Sequence, residues 1–187
     1  EAMTLPLPET PGGALGKGAG EELSRASGRF DVALIGPGLS RCPETAGMVR
    51  GLVASFRIPM LVDADGLNAL VEDSSTLGRA AAPVILTPHP GEMARLMGCG
   101  TGEVLRDRVG AASGFAAAHR AVVVLKGAQT VVAPPDGAAS FNASGNPGMA
   151  SGGSGDVLSG VIASLLGQGL KPVAAARAGV FVHGDAG

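Results

Sequence analysis

Four short apolar runs, each closed by turn-forming or charged residues, constrain this chain more than any other feature. FDVALIG (30–36), PMLVDAD (59–65), PVILTPH (83–89) and AVVVLKG (121–127) are too short for helices and lack polar alternation. Such runs read as strands buried on both faces. Between and after them the apolar spacing switches to the helical period. Residues 43–56 put Ala46, Val49, Val53 and Phe56 on one face, and a short helix is predicted from about Gly66. Residues 103–119 read as one amphipathic helix through Leu105, Val109, Ala112 and Ala116. Asp136-Gly137 marks a hairpin near 129–141, and two helices are predicted over 153–167 and 172–185. The Pro/Gly-rich opening, residues 1–20, reads as irregular. Alternating strands and helices predict an α/β fold: a mainly parallel sheet covered by helices on both faces.

Composition narrows the function. With 45% hydrophobic and 16% charged residues over 187 positions, the chain can bury a sizeable core. Its net charge is −2, no basic stripe is visible, and Trp and Tyr are absent, so nucleic-acid binding is not expected. No apolar run approaches the ~18 residues of a membrane span, and no basic leader opens the chain, so a cytoplasmic protein without membrane contact is expected. Cys42 and Cys99 have no CxxC spacing and read as free thiols of a reducing compartment. GALGKGAG resembles a phosphate loop only loosely, because Pro11 and Gly18 stand where that motif needs Gly and a hydroxyl.

In a parallel sheet ligands sit beyond the carboxyl ends of the strands. Here those ends are GPGLS, DADGLN, TPHPGE and KGAQT. DADGLN reads as a strand end with Asx turns and a helix cap. TPHPGE holds His89 between two prolines, which stiffens the backbone; it serves equally as a rigid turn, a substrate contact, or the mount of a Mg²⁺-linked Glu92. Lys126 is one of three lysines and closes an apolar strand. It reads either as a solvated strand-end lysine or as a phosphate contact beside Thr130. His119 and His183 fall in helical stretches and read as structural.

The most informative stretch is NASGNPGMASGGSGD (142–156), which runs into an apolar helix. Backbone N–H groups of Gly152, Gly153, Ser154 and Gly155 at a helix start would form an anion hole, aided by the helix dipole. Asp156 would then sit in the first turn. It is either a base that takes a substrate hydroxyl proton during phosphoryl transfer or only a favourable first-turn acid.

GPGLS, LVDADGLN, LTPHPGEMARLMG, VVLKGAQTVVA and NASGNPGMASGGSGDVLSGVIASLLGQG occur in one order. In that order they resemble the ADP/ATP-dependent NAD(P)H-hydrate dehydratases, a ribokinase-like family. The resemblance runs from about residue 3 to the end. It implies a single ribokinase-like domain over 1–187, continuing beyond both ends. It also implies that ADP or ATP, with Mg²⁺, phosphorylates the ring hydroxyl of hydrated NADH or NADPH and that phosphate then leaves. Carried over by position, Gly38, His89 and Asp156 would contact the hydrated cofactor, with Asp156 as the base. Lys126, Gly127, Ala128, Gln129 and Thr130 would line the adenine nucleotide, with Gly155 at its phosphates. Ser40 and Ser151 stand where the family more often has Gly and Thr. A homo-oligomer and a fused or partner epimerase domain are further expectations. Two rivals stay open: a vitamin-precursor kinase of the same superfamily, and a nucleotide-binding module without catalysis.

Overall fold

The computed structural model describes residues 3–187. Six strands form one sheet in the order β1-β2-β3-β4-β5-β6, so each pairs with its neighbours in sequence. They are β1 Ala33–Ile35, β2 Met60–Val62, β3 Val84–Leu86, β4 Val122–Leu125, β5 Val131–Ala133 and β6 Ser140–Phe141. β1 to β4 run parallel, while β5 and β6 are antiparallel additions, the hairpin expected around Asp136-Gly137. The ladders are shorter than the apolar runs because the flanking Gly, Pro and Asp residues already turn toward the next helix.

The helices are α1 Lys17–Ala26, α2 Pro43–Ser55, α3 Ala64–Leu70, α4 Pro90–Met97, α5 Thr101–Arg106, α6 Arg108–His119, α7 Ser154–Gly167 and α8 Pro172–Asp185. α2, α4 and α8 begin on Pro, whose fixed φ suits a first helical position. α3 begins at Ala64 rather than near Gly66, because Asp63 caps it there: its Oδ1 accepts from Ala64 N at 2.9 Å.

Strand side chains alternate between two cores. Val62, Leu86, Val123, Leu125 and Val131 join α2 to α6 on one face. Leu61, Ile85, Val122, Val124 and Val132 join α7 and α8 on the other. Each such side chain contributes roughly 1.5–3 kcal/mol when fully buried, so both faces must be covered, as the unbroken apolar runs demanded. At the carboxyl end of β1, Gly36 (φ +142°) lets the chain touch α3, since a side chain there would overlap the Asp63 carbonyl oxygen.

Two expectations are corrected. The segment 103–119 is not one helix: it breaks at Asp107 (φ −143°, ψ 79°), whose Oδ1 caps α6 by accepting from Gly110 N at 2.7 Å. The break rotates the buried stripe, so Leu105 is exposed and Val104 and Phe115 are buried instead. The opening is not wholly irregular either. α1 forms from Lys17 onward and buries Ala19 against the neighbouring α2. Among the described residues no helix is long and apolar enough to cross a membrane.

Candidate active site

A cavity of about 890 Å³ opens beyond the carboxyl end of β4. That is ample for a nucleotide-sized ligand, since small-molecule sites run to about 300–1,000 Å³. Its walls are the β4–β5 loop Lys126–Thr130, the stretch from Asn142 to Ser151, the start of α7, and Val180, His183 and Gly184 of α8. His89 and Pro90 close one side. Hydrogen bonds fix the wall 142–151 to α8: Asn142 Nδ2 donates to Val180 O at 3.0 Å, and Ser144 Oγ donates to Phe181 O at 3.0 Å.

Lys126 stands at the floor. Its Nζ donates to Asp63 Oδ1 at 2.8 Å and lies 3.9 Å from Glu92 Oε2. Asp63 is 1% exposed, and its second oxygen accepts from Ser159 Oγ at 2.6 Å. Ser159 Oγ in turn lies 3.3 Å from Thr87 Oγ1. A buried carboxylate persists only when its oxygens are paired and bonded, and here both are. The lysine is therefore held in one place. A Cβ built on Gly155 would lie 3.2 Å from its Nζ, so the ammonium abuts the first turn of α7.

The start of α7 is prepared for an anion. Gly153, with φ +87°, is its N-cap and turns the chain into the helix. The Ser154 amide donates to Ser151 O at 3.3 Å, whereas among the described residues the amides of Gly155 and Asp156 have no acceptor. Free N–H groups, the helix dipole and the Lys126 ammonium converge on one point.

His89 caps α4 as Nδ1 accepts from Gly91 N at 3.0 Å and from Glu92 N at 3.3 Å. Glu92 returns the bond, its Oε2 accepting from His89 N at 2.8 Å. With Nδ1 an acceptor, the neutral ring carries its proton on Nε2. That atom lies 3.5 Å from Glu92 Oε1. Both Glu92 oxygens are thus engaged, and no group of three His, Cys, Asp or Glu able to hold a metal exists among the described residues.

Of the residues singled out in the sequence, His89, Lys126, Gly127, Ala128, Gln129, Thr130, Ser154 and Gly155 line the one cavity. Gly38, Glu92, Gly152, Gly153 and Asp156 are not on its lining. Gly38 turns the chain after β1 with φ +75°, and Asp156 is exposed one residue past Gly155. Three participants escaped the sequence reading. His183 is part of the cavity wall rather than only structural, its Nε2 3.4 Å from Ser154 Oγ. Asp63 caps α3, as its motif suggested, and also holds Lys126. Ser159 left a signal: a hydroxyl on the buried face of α7 between Leu158 and Ile162.

The comparisons agree with this fold. The family model described as NAD(P)H-hydrate dehydratase matches residues 3–187. The Bifunctional NAD(P)H-hydrate repair enzyme Nnr of Moorella thermoacetica is 51% identical over 187 residues, which is 100% of this chain and 35% of that protein. The ADP-dependent (S)-NAD(P)H-hydrate dehydratase of Neisseria meningitidis is 44% identical over 156 residues, 82% of this chain and 53% of that protein. Among solved structures, the ADP/ATP-dependent NAD(P)H-hydrate dehydratase of Bacillus subtilis, co-crystallized with ATP/Mg²⁺, aligns with TM-score 0.72 and 34% identity. That alignment covers 86% of this chain and 58% of the other. The chain therefore spans about a third of the bifunctional relative and under three fifths of the solved dehydratase. A family model that takes in every described residue, and a bifunctional relative half identical along the full chain, lead to one placement: this chain belongs to the NAD(P)H-hydrate dehydratase family.

Proposed function

We propose that the protein uses ADP or ATP to dehydrate the S-epimer of hydrated NADH or NADPH, restoring the reduced cofactor. The observation that carries this reading is the meeting of Lys126 with the start of α7 at Gly155, on the wall of a nucleotide-sized cavity. In this reading the adenine nucleotide lies along Lys126–Thr130 with its phosphates at the amides of Gly155 and Asp156. Lys126 offsets charge on the transferring phosphoryl group, which is where fixed cations and N–H donors are most effective. The Asp156 carboxylate takes the proton of the ring hydroxyl as its oxygen attacks phosphorus, and the P–O bond to the nucleotide breaks to release AMP from ADP or ADP from ATP. The C–O bond to the resulting phosphate then breaks, the neighbouring ring carbon gives up a proton, and the ring double bond returns as phosphate leaves. His89 and Gly38 are proposed to contact the hydrated ring.

Mg²⁺ is handled differently. The residues do not build a cage for it, since Glu92 is engaged and no three-ligand cluster exists among the described residues. Mg²⁺ commonly arrives on phosphates with one or two carboxylates, and no step here is routed through it. Residues 1–187 are proposed to form part of one ribokinase-like domain. A fused epimerase domain is supported by the bifunctional relatives. Self-association is proposed as well. Nucleotide substrates support a cytoplasmic setting.

The test is single-turnover regeneration of NADH from its S-hydrate by the full-length protein, with ADP, with ATP and with neither. Nucleotide-dependent turnover is expected. Phosphorylation of a vitamin-precursor alcohol in its place would give the kinase reading, and AMP binding without any turnover would give the binding module.

A further inference from the structure

We infer that Arg108, on a helix behind the cavity, is the positioning residue that holds the Lys126–Thr130 loop in its binding shape. The loop is a demanding one. Gly127 has φ +141° and Gln129, a non-glycine residue, has φ +56°. Such backbone persists only when surrounding contacts hold it. Within the loop, Thr130 Oγ1 donates to Gly127 O at 3.1 Å. The loop ends are tied by Lys126 N donating to Pro88 O at 2.8 Å and Asn142 N donating to Thr130 O at 2.8 Å, and its middle is held by one guanidinium. Arg108 Nη2 donates to Leu125 O at 3.2 Å and Nη1 donates to Ala128 O at 2.5 Å, bridging two carbonyls three residues apart.

The fit is close. A Cβ on Gly127 would lie 3.1 Å from Arg108 Nη2 and 3.5 Å from Cζ, so the planar group lies against the bare glycine backbone. A lysine offers one point of donation where this geometry needs a rigid fork. Arg108 takes part in none of the ion pairs within 4.0 Å among the described residues, and its Nε is buried without a partner. The group serves the loop carbonyls rather than a surface carboxylate. The break at Asp107 makes this possible: it restarts the helix so that Arg108 is the first residue of α6.

The inference rests on the reading that this loop carries the nucleotide, but the bracing is measurable without a ligand. In the full-length protein, Arg108→Gln and Arg108→Lys are compared with wild type by hydrogen exchange and by calorimetric titration with AMP. The amides of Lys126 and Asn142, which donate to Pro88 O and Thr130 O at the two ends of the loop, are expected to exchange faster in both variants, while those of β2 and β3 stay protected. AMP affinity is expected to fall about tenfold in Arg108→Gln, because a loop in its binding shape one tenth of the time weakens affinity in that proportion. Arg108→Lys is expected to lie between. Unchanged loop exchange with an intact fold in either variant overturns the inference. If wild type fails to bind AMP, the nucleotide reading fails, and loop exchange alone still decides whether Arg108 braces the loop.

Discussion

Lys126 and Gly155 touch across the floor of the cavity, a strand end against a helix start, with 3.2 Å between the ammonium and the position of an added Cβ. A methyl at 155 makes the ammonium give by a few tenths of an ångström, and a branched side chain asks for more. Gly155→Val is therefore expected to displace the ammonium and cover the free amides while the sheet survives. AMP affinity should fall at least tenfold, which is about 1.4 kcal/mol. Isothermal titration checks this, and unchanged affinity would put the phosphates elsewhere.

Asp156 separates two roles in one experiment. Asp156→Asn keeps the shape of the first turn but cannot accept the hydroxyl proton. Loss of a positioned base costs roughly 10²–10⁴-fold in rate, so single-turnover dehydration should slow by about that factor. Nucleotide binding should hold, or tighten as a negative charge leaves the anion site. If only the first-turn charge matters, the change costs about 0.3–1 kcal/mol of stability and turnover survives.

The buried Asp63 gives a stability prediction. Asp63→Asn has one oxygen where Asp63 uses two, so it keeps the α3 cap only by turning its N–H₂ toward Ser159 Oγ, and it removes the charge that holds Lys126. Hydrogen bonds to charged groups contribute roughly 1.5–3 kcal/mol, and a loss of that order is expected in urea denaturation. A variant as stable as wild type would mean that solvent satisfies Lys126 without its partner.

His119 carries a pH prediction. Burial against Phe115, whose ring centroid is 4.1 Å away, lowers its pKa from the ordinary 6.5, with a backbone contact to Ser74 opposing. The unfolded chain then binds the proton more readily, so this site adds stability above about pH 6.5 that is lost as pH falls toward the folded value. Urea midpoints at about pH 7.5 and about pH 5.5 should differ less in His119→Gln than in wild type. Equal differences would remove His119 from the acid response.

The strands and the glycine-rich loops were legible because their determinants are local. VVVL can only be buried, and GGSGD before an apolar helix has few other uses. The break at Asp107 was not legible: the apolar spacing continues across it, and a cap that wins over helix continuation depends on the three-dimensional place of Arg108. His183 was missed for a related reason. Its neighbours Val180 and Gly184 do belong to a packed helix, and only the tertiary arrangement turns that end of α8 toward Ser154. Asp63 was read correctly as a cap, and half of its work went unseen because its second partner lies 63 residues away.

The sequential order of the strands has a consequence for biosynthesis. The connections through α2 to α6 all deposit their helices on one side, so among the described residues Leu61, Ile85, Val122, Val124 and Val132 are covered only by α7 and α8. A nascent chain ending near residue 150 would present a bare apolar sheet face, a surface of the kind that recruits chaperones or drives aggregation. The same two helices also complete the cavity. Covering of this apolar face and closure of the candidate cavity thus depend on the same two helices.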